Sequence, residues 1–121
     1  MRRKTDVRRH ITAGEARTKD PVLSEAVRRL VEALQPERIY LFGSRARKGA
    51  RIDSDYDLLV VVRQRVGPGR ELERRANAAL WGIGAPIDVV ILTSEYYAWM
   101  LGAAASLPAT VEREGRLLYA A

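Results

Sequence analysis

The sequence predicts an α/β fold, a small mixed sheet with helices packed on it, and three observations predict it. Three short runs rich in β-branched and aromatic residues, RIYLF at 38–42, YDLLVVV at 56–62 and PIDVVIL at 86–92, read as strands. Between and around them lie stretches whose apolar residues recur at helical spacing. The two kinds of element alternate, in the order α-β-α-β-α-β-α-α-β, as expected for helices layered against a sheet.

Each element has a local reason. Asp20-Pro21 looks like a helix start, because Asp can cap free backbone amides and Pro suits the first helical position. Leu23, Val27, Leu30, Val31 and Leu34 then form one apolar stripe, and Pro36 lies just past its end. The strand at 38–42 runs into Gly43-Ser44, and the Arg-Ala-Arg-Lys that follows suggests a strand feeding a helix N-terminus. Residues 49–54 read as a loop. Leu58 to Val62 is apolar without alternation, so the second strand should be covered on both faces. Gly and Pro mark 63–69 as a loop. Leu72, Ala76, Ala79, Leu80 and Ile83 mark another helix, ended by Gly82 and Gly84. After the third strand, Thr93 or Ser94 caps a helix with Glu95 in its first turn. Its bulky residues, Tyr96, Tyr97, Trp99, Met100 and Leu101, are expected to pack into the core and its grooves. Pro108 opens a last short helix, Gly115 ends it, and 116–119 forms an edge strand.

At 121 residues the chain is one domain with a real core. It has no cysteine, hence neither disulfides nor a thiolate metal site. No apolar run reaches the ~18–20 residues of a membrane span, and the charged N-terminus lacks the apolar core of a signal peptide. A cytoplasmic location without membrane contact is expected. The net charge of +6 is unevenly placed. Residues 1–19 carry seven Lys/Arg against two acids, whereas 20–121 carry fourteen against thirteen. Residues 1–19 therefore read as a flexible basic arm and 20–121 as a nearly neutral globular domain, with any nucleic-acid contact confined to the arm. His10, the only histidine, falls in the arm and reads as a solvated side chain.

Chemistry concentrates in GSRARKGARIDSDYDLLVVV, residues 43–62. Asp55 and Asp57 are two apart beside a strand, so both carboxylates point to the same side. Two such anions repel unless a cation lies between them, and hard oxygen ligands suit Mg²⁺. Alone, Asp-x-Asp is more often a solvated turn before a strand. Asp88 is an ionisable residue inside an apolar strand, and burying it unpaired would cost several kcal/mol. It should enter a polar cleft or pair with an arginine. If its strand neighbours the Asp55/Asp57 strand, three carboxylates converge and could hold two metals for in-line phosphoryl or nucleotidyl displacement. Gly43 permits close backbone approach. With the Ser44 hydroxyl and the following amides, it could grip phosphate oxygens, aided by Arg45 and Arg47. The Walker pattern is absent.

Gly43-Ser44, ten intervening residues, then Asp55-Tyr56-Asp57 match the G-S-x(10)-D-x-D signature of the polymerase-beta-like nucleotidyltransferase superfamily. LFGSRARKGARIDSDYDLLV, PIDVVI and the terminal EREGRLLY specifically resemble the minimal nucleotidyltransferases, over about residues 21–119. Lys48 stands where the family often has Gly, and Ile52 where it often has Pro. The resemblance implies that Asp55 and Asp57 ligate two Mg²⁺ ions and that Asp88 ligates the catalytic ion and helps activate the acceptor hydroxyl. It also implies that Gly43, Ser44 and Arg45 or Arg47 hold the triphosphate of ATP. It further implies AMP transfer to a hydroxyl, such as a tyrosine of a HEPN-domain toxin that the chain, as antitoxin, would neutralise in a complex. Two alternatives stand beside this: a non-catalytic antitoxin that acts by binding, and an adenylyltransferase acting on a small molecule.

Overall fold

The computed structural model describes residues 16–47 and 55–121. Among them, helix α1 (Pro21–Leu34) leads into strand β1 (Arg38–Phe42) and a single 3-10 turn (Ser44–Ala46). Strand β2 (Tyr56–Val62), helix α2 (Glu71–Leu80) and strand β3 (Ile87–Thr93) follow. Helices α3 (Ser94–Met100) and α4 (Leu107–Glu114) and strand β4 (Arg116–Ala120) complete the order. The four strands form one sheet in the order β3-β2-β1-β4. β1 is antiparallel to both β2 and β4, and β2 is parallel to β3, so the sheet is mixed as expected.

Side chains on alternate positions of β2 feed two separate cores. Tyr56, Leu58, Val60 and Val62 point to the α1 and α2 side, where they meet Leu23, Val27, Leu30, Leu72 and Ala76. Leu59 and Val61 point to the α3 and α4 side, against Tyr40, Tyr97 and Val111. Leu58 to Val62 is thus buried on both faces, which accounts for its unbroken apolarity.

The caps follow the local chemistry. Asp20 Oδ1 accepts the Val22 and Leu23 amides at 2.8 and 3.3 Å, with Pro21 opening α1. Gln35 ends α1 in a left-handed conformation, its N–H donating to Val31 O at 2.9 Å. Thr93 caps α3 and Ser106 caps α4. Arg17 N–H donates to Leu118 O at 2.7 Å, which lays the segment before α1 beside edge strand β4.

Two expectations need correction. The basic stretch after Gly43-Ser44 does not form a helix over 45–47. Two bonds, Ala46 N–H to Gly43 O and Arg47 N–H to Ser44 O (each 3.1 Å), close one 3-10 turn, and Arg47 is already extended. Short helices depend on burying an apolar face, and here only Ala46 packs on the core. The expected loop at 49–54 lies outside the described residues. Nor do the aromatics of α3 all pack inward. Tyr97 is buried, whereas Trp99 is 73% and Tyr96 46% exposed. A seven-residue helix turns one side to the sheet, and Tyr96 and Trp99, three apart, share the outer side with ring centroids 5.7 Å apart.

Candidate active site

The parallel ladder places Asp57 directly opposite Asp88, with Tyr56 opposite Ile87 and Leu58 opposite Val89. Ile87, Val89 and Ile91 join the core under α1 and α2, so Asp88 shares the other face with Asp57, as alternation requires. Asp55 lies one residue before β2. Asp57 is half-buried, and Asp55 and Asp88 are exposed. Among the described residues none of the three carboxylates forms a hydrogen bond or an ion pair. No arginine among the described residues pairs with Asp88, and its carboxylate is exposed at the mouth of the sheet.

Burial pushes the Asp57 carboxyl above its ordinary value, and the charges of Asp88 and Asp55 push the same way. The three acids thus act on one another electrostatically. They do not stand in a closed cage: among the described residues no group of three or more His, Cys, Asp or Glu side chains is gathered tightly enough to hold a metal ion. The hard oxygen donors of Asp55, Asp57 and Asp88 fit Mg²⁺ in type, as one or two carboxylates completed by water and phosphate oxygens.

The Gly-Ser turn meets this carboxylate pair. Phe42 is opposite Asp57 across the antiparallel ladder, so Gly43 follows immediately beside it. Gly43 has φ 76° and ψ −160°, a region open essentially to glycine alone. A Cβ there would collide with Asp57 Oδ2 and lie 3.2 Å from its Cγ. The backbone of the turn is therefore packed on the carboxylate itself. Ser44 begins the 3-10 turn, and its hydroxyl makes no hydrogen bond among the described residues.

Arg45 lies on the opposite side of β2. Its guanidinium carbon sits 4.0 Å above the Tyr56 ring centroid, and the Tyr56 hydroxyl donates to Asp20 Oδ2 at 2.7 Å. Cation–π contact, hydroxyl and helix cap form one chain from the Gly-Ser turn to the start of α1. Burial acts to raise the Asp20 carboxyl, but the Tyr56 hydroxyl, the Leu23 and Val22 amides and the Arg45 charge together outweigh it and lower it. Tyr56 and this use of Asp20 escaped the sequence reading. The signal was present, since a residue between two same-face aspartates must point the other way. Arg47 is exposed, and no ion pair links it to the three carboxylates.

The polymerase beta nucleotidyltransferase family model matches residues 25–120, which contain the turn and all three aspartates. The chain belongs to the polymerase beta nucleotidyltransferase family. No curated protein and no solved structure matches it. As a nucleotidyltransferase domain it falls in a family that generally works with divalent metal ions and a nucleoside triphosphate. Among the described residues of this nucleotidyltransferase no helix is long and apolar enough to cross a membrane.

Proposed function

We propose that this chain is a minimal nucleotidyltransferase that transfers AMP from ATP to a hydroxyl of a partner protein, with Mg²⁺. The observation that carries the reading is the packing of three parts. Asp57 is opposite Asp88 on adjacent strands, Asp55 adds its charge to theirs, and Gly43 is pressed against Asp57. Among the described residues no cation pairs with the half-buried Asp57 carboxylate, an arrangement whose cost a bound cation would remove.

In this mechanism Asp55, Asp57 and Asp88 would hold two Mg²⁺ ions, which when bound neutralise the triphosphate and make the acceptor hydroxyl more acidic. Gly43 brings its backbone close to the triphosphate tail, and the Ser44 hydroxyl donates to a phosphate oxygen. The exposed Arg47 supplies positive charge to the same tail, whereas Arg45, on the other side of β2, braces Tyr56. Asp88, exposed at the sheet's open end, accepts the proton of the attacking hydroxyl. The acceptor oxygen bonds to the α-phosphorus as the bond to pyrophosphate breaks, leaving AMP on the acceptor.

The acceptor in this reading is a tyrosine hydroxyl of a HEPN-domain toxin, and the chain is its cytoplasmic antitoxin in a stable complex. The exposed Tyr96, Trp99 and Leu101 support a protein partner, because aromatic side chains grouped on a surface are characteristic of protein interfaces. The same patch favours a second reading, in which the chain neutralises its partner by binding alone. Purified protein incubated with α-labelled ATP, Mg²⁺ and the partner separates them. Label on the partner that vanishes with Asp55→Asn or Asp57→Asn supports transfer. Neutralisation that persists in those variants without label supports the binder.

A further inference from the structure

Away from the carboxylates lies an open cleft of about 620 Å³ lined by Arg17, Thr18, Lys19, Asp20 and Arg116. Two separate pieces of chain build it. The segment before α1 is laid along edge strand β4 by the Arg17 N–H bond to Leu118 O, and Arg116 is the first residue of that strand. Arg116 pairs with Leu41, whose side chain is in the α1 and α2 core, so the cleft opens on the side away from Asp57 and Asp88.

Basic side chains outnumber acidic ones in its lining. Arg28, Arg29, Arg65, Arg74 and Arg75 each pair with a glutamate. The side chains of Arg17, Lys19 and Arg116 make no ion pair among the described residues, and all three residues are exposed. The acid in the cleft does not neutralise them. Asp20 already accepts from two amides and from the Tyr56 hydroxyl. Among the described residues, three cations that no ion pair offsets therefore line one open cleft.

We propose that this cleft binds the phosphodiester backbone of a nucleic-acid strand. Cations brought together from two chain segments match a polymer with a charge at every unit better than they match the scattered carboxylates of a protein surface. The polar lining, with no aromatic ring among its residues, suits backbone contact without base readout. The strand is a ligand distinct from the nucleotide at the carboxylates, because the two sites open on opposite sides of the sheet.

The test is fluorescence anisotropy of labelled single-stranded RNA, single-stranded DNA and duplex DNA, titrated with the full chain at several salt concentrations, without Mg²⁺ or ATP. The wild type binds at least one of them, more weakly as salt rises. In Arg17→Gln/Lys19→Gln/Arg116→Gln the slope of log affinity against log salt becomes shallower by about 2 to 3, at roughly 0.7–0.9 per lost phosphate contact. The basic residues before position 16 are unchanged in that variant, so the difference reports the cleft. Arg116→Gln alone changes one exposed side chain and should lose about one such contact, which covers failure of the triple variant to fold. Equal slopes in wild type and variants, no binding by the wild type, or selective capture of a polyglutamate peptide instead would overturn the proposal. Asp57→Asn should bind as the wild type does, so a failed transfer reaction leaves this outcome readable.

Discussion

Replacing Gly43 with alanine tests the contact that joins the phosphate turn to the carboxylates. Two costs add. At φ 76° and ψ −160° a residue with a Cβ is strained, at roughly 1–3 kcal/mol. The new methyl also runs into Asp57 Oδ2 and lies 3.2 and 3.4 Å from Asp57 Cγ and Cβ, an overpacking that typically costs about 1–3 kcal/mol. The sum is about 2 to 6 kcal/mol, and at about 4 °C or more per kcal/mol for a domain of this size the melting temperature should fall by at least about 8 °C. Gly69→Ala is the control, because Gly69 also has a positive φ (56°) but open space where its Cβ would go. It should lose only the backbone part, about 1–2 kcal/mol. Thermal unfolding gives the stability difference, and calorimetric titration with Mg²⁺ and a non-hydrolysable ATP analogue gives the binding loss. If Gly43→Ala melted like Gly69→Ala and kept wild-type binding, the packing of the turn on Asp57 would not matter, and the site as described would be wrong.

Three further outcomes are expected. Asp57 has its carboxyl raised by burial and by Asp88 and Asp55, so its contribution favours the fold below the ordinary carboxylate range and is lost as pH rises through the raised value. Asp57→Asn should therefore raise the melting temperature at neutral pH without Mg²⁺ and abolish transfer, while Mg²⁺ stabilises only the wild type. Asp20 is lowered despite its burial, so its stabilisation is present at neutral pH and disappears as pH falls below the ordinary value of ~3.9. Asp20→Ala should cost about 1–2 kcal/mol at pH 7 by urea denaturation, and much less at pH 3. Tyr56→Phe keeps the ring under Arg45 and loses the Asp20 bond, whereas Tyr56→Leu loses both. Stability by urea denaturation should fall in the order wild type, Phe, Leu, with the larger step at Leu.

Most of the architecture was legible because its signals are local. Asp20-Pro21, the Thr93 cap, Pro108 and Gly115 mark element ends through their own backbone chemistry. The unbroken apolar run 58–62 declared a strand covered on both sides. Asp88 was suspect on desolvation cost alone, but its placement opposite Asp57 depends on strand order, which no local pattern encodes. The stretch after Ser44 misled because Arg-Ala-Arg-Lys has good helix propensity and no apolar face to bury, and tertiary packing decided the outcome. The outward Trp99 misled for the converse reason, since residue type alone does not say which side of a short helix has a neighbour.

The triplet Asp55-Tyr56-Asp57 has a consequence for how this chain can change. Its outer members serve the open face and its middle member the core. One residue inserted or deleted just before Leu58 would exchange these duties, driving carboxylates into the apolar interior and turning the tyrosine out to water. Such a frame slip would abolish the fold together with the chemistry. The step from Asp57 to Leu58 can therefore not change in length.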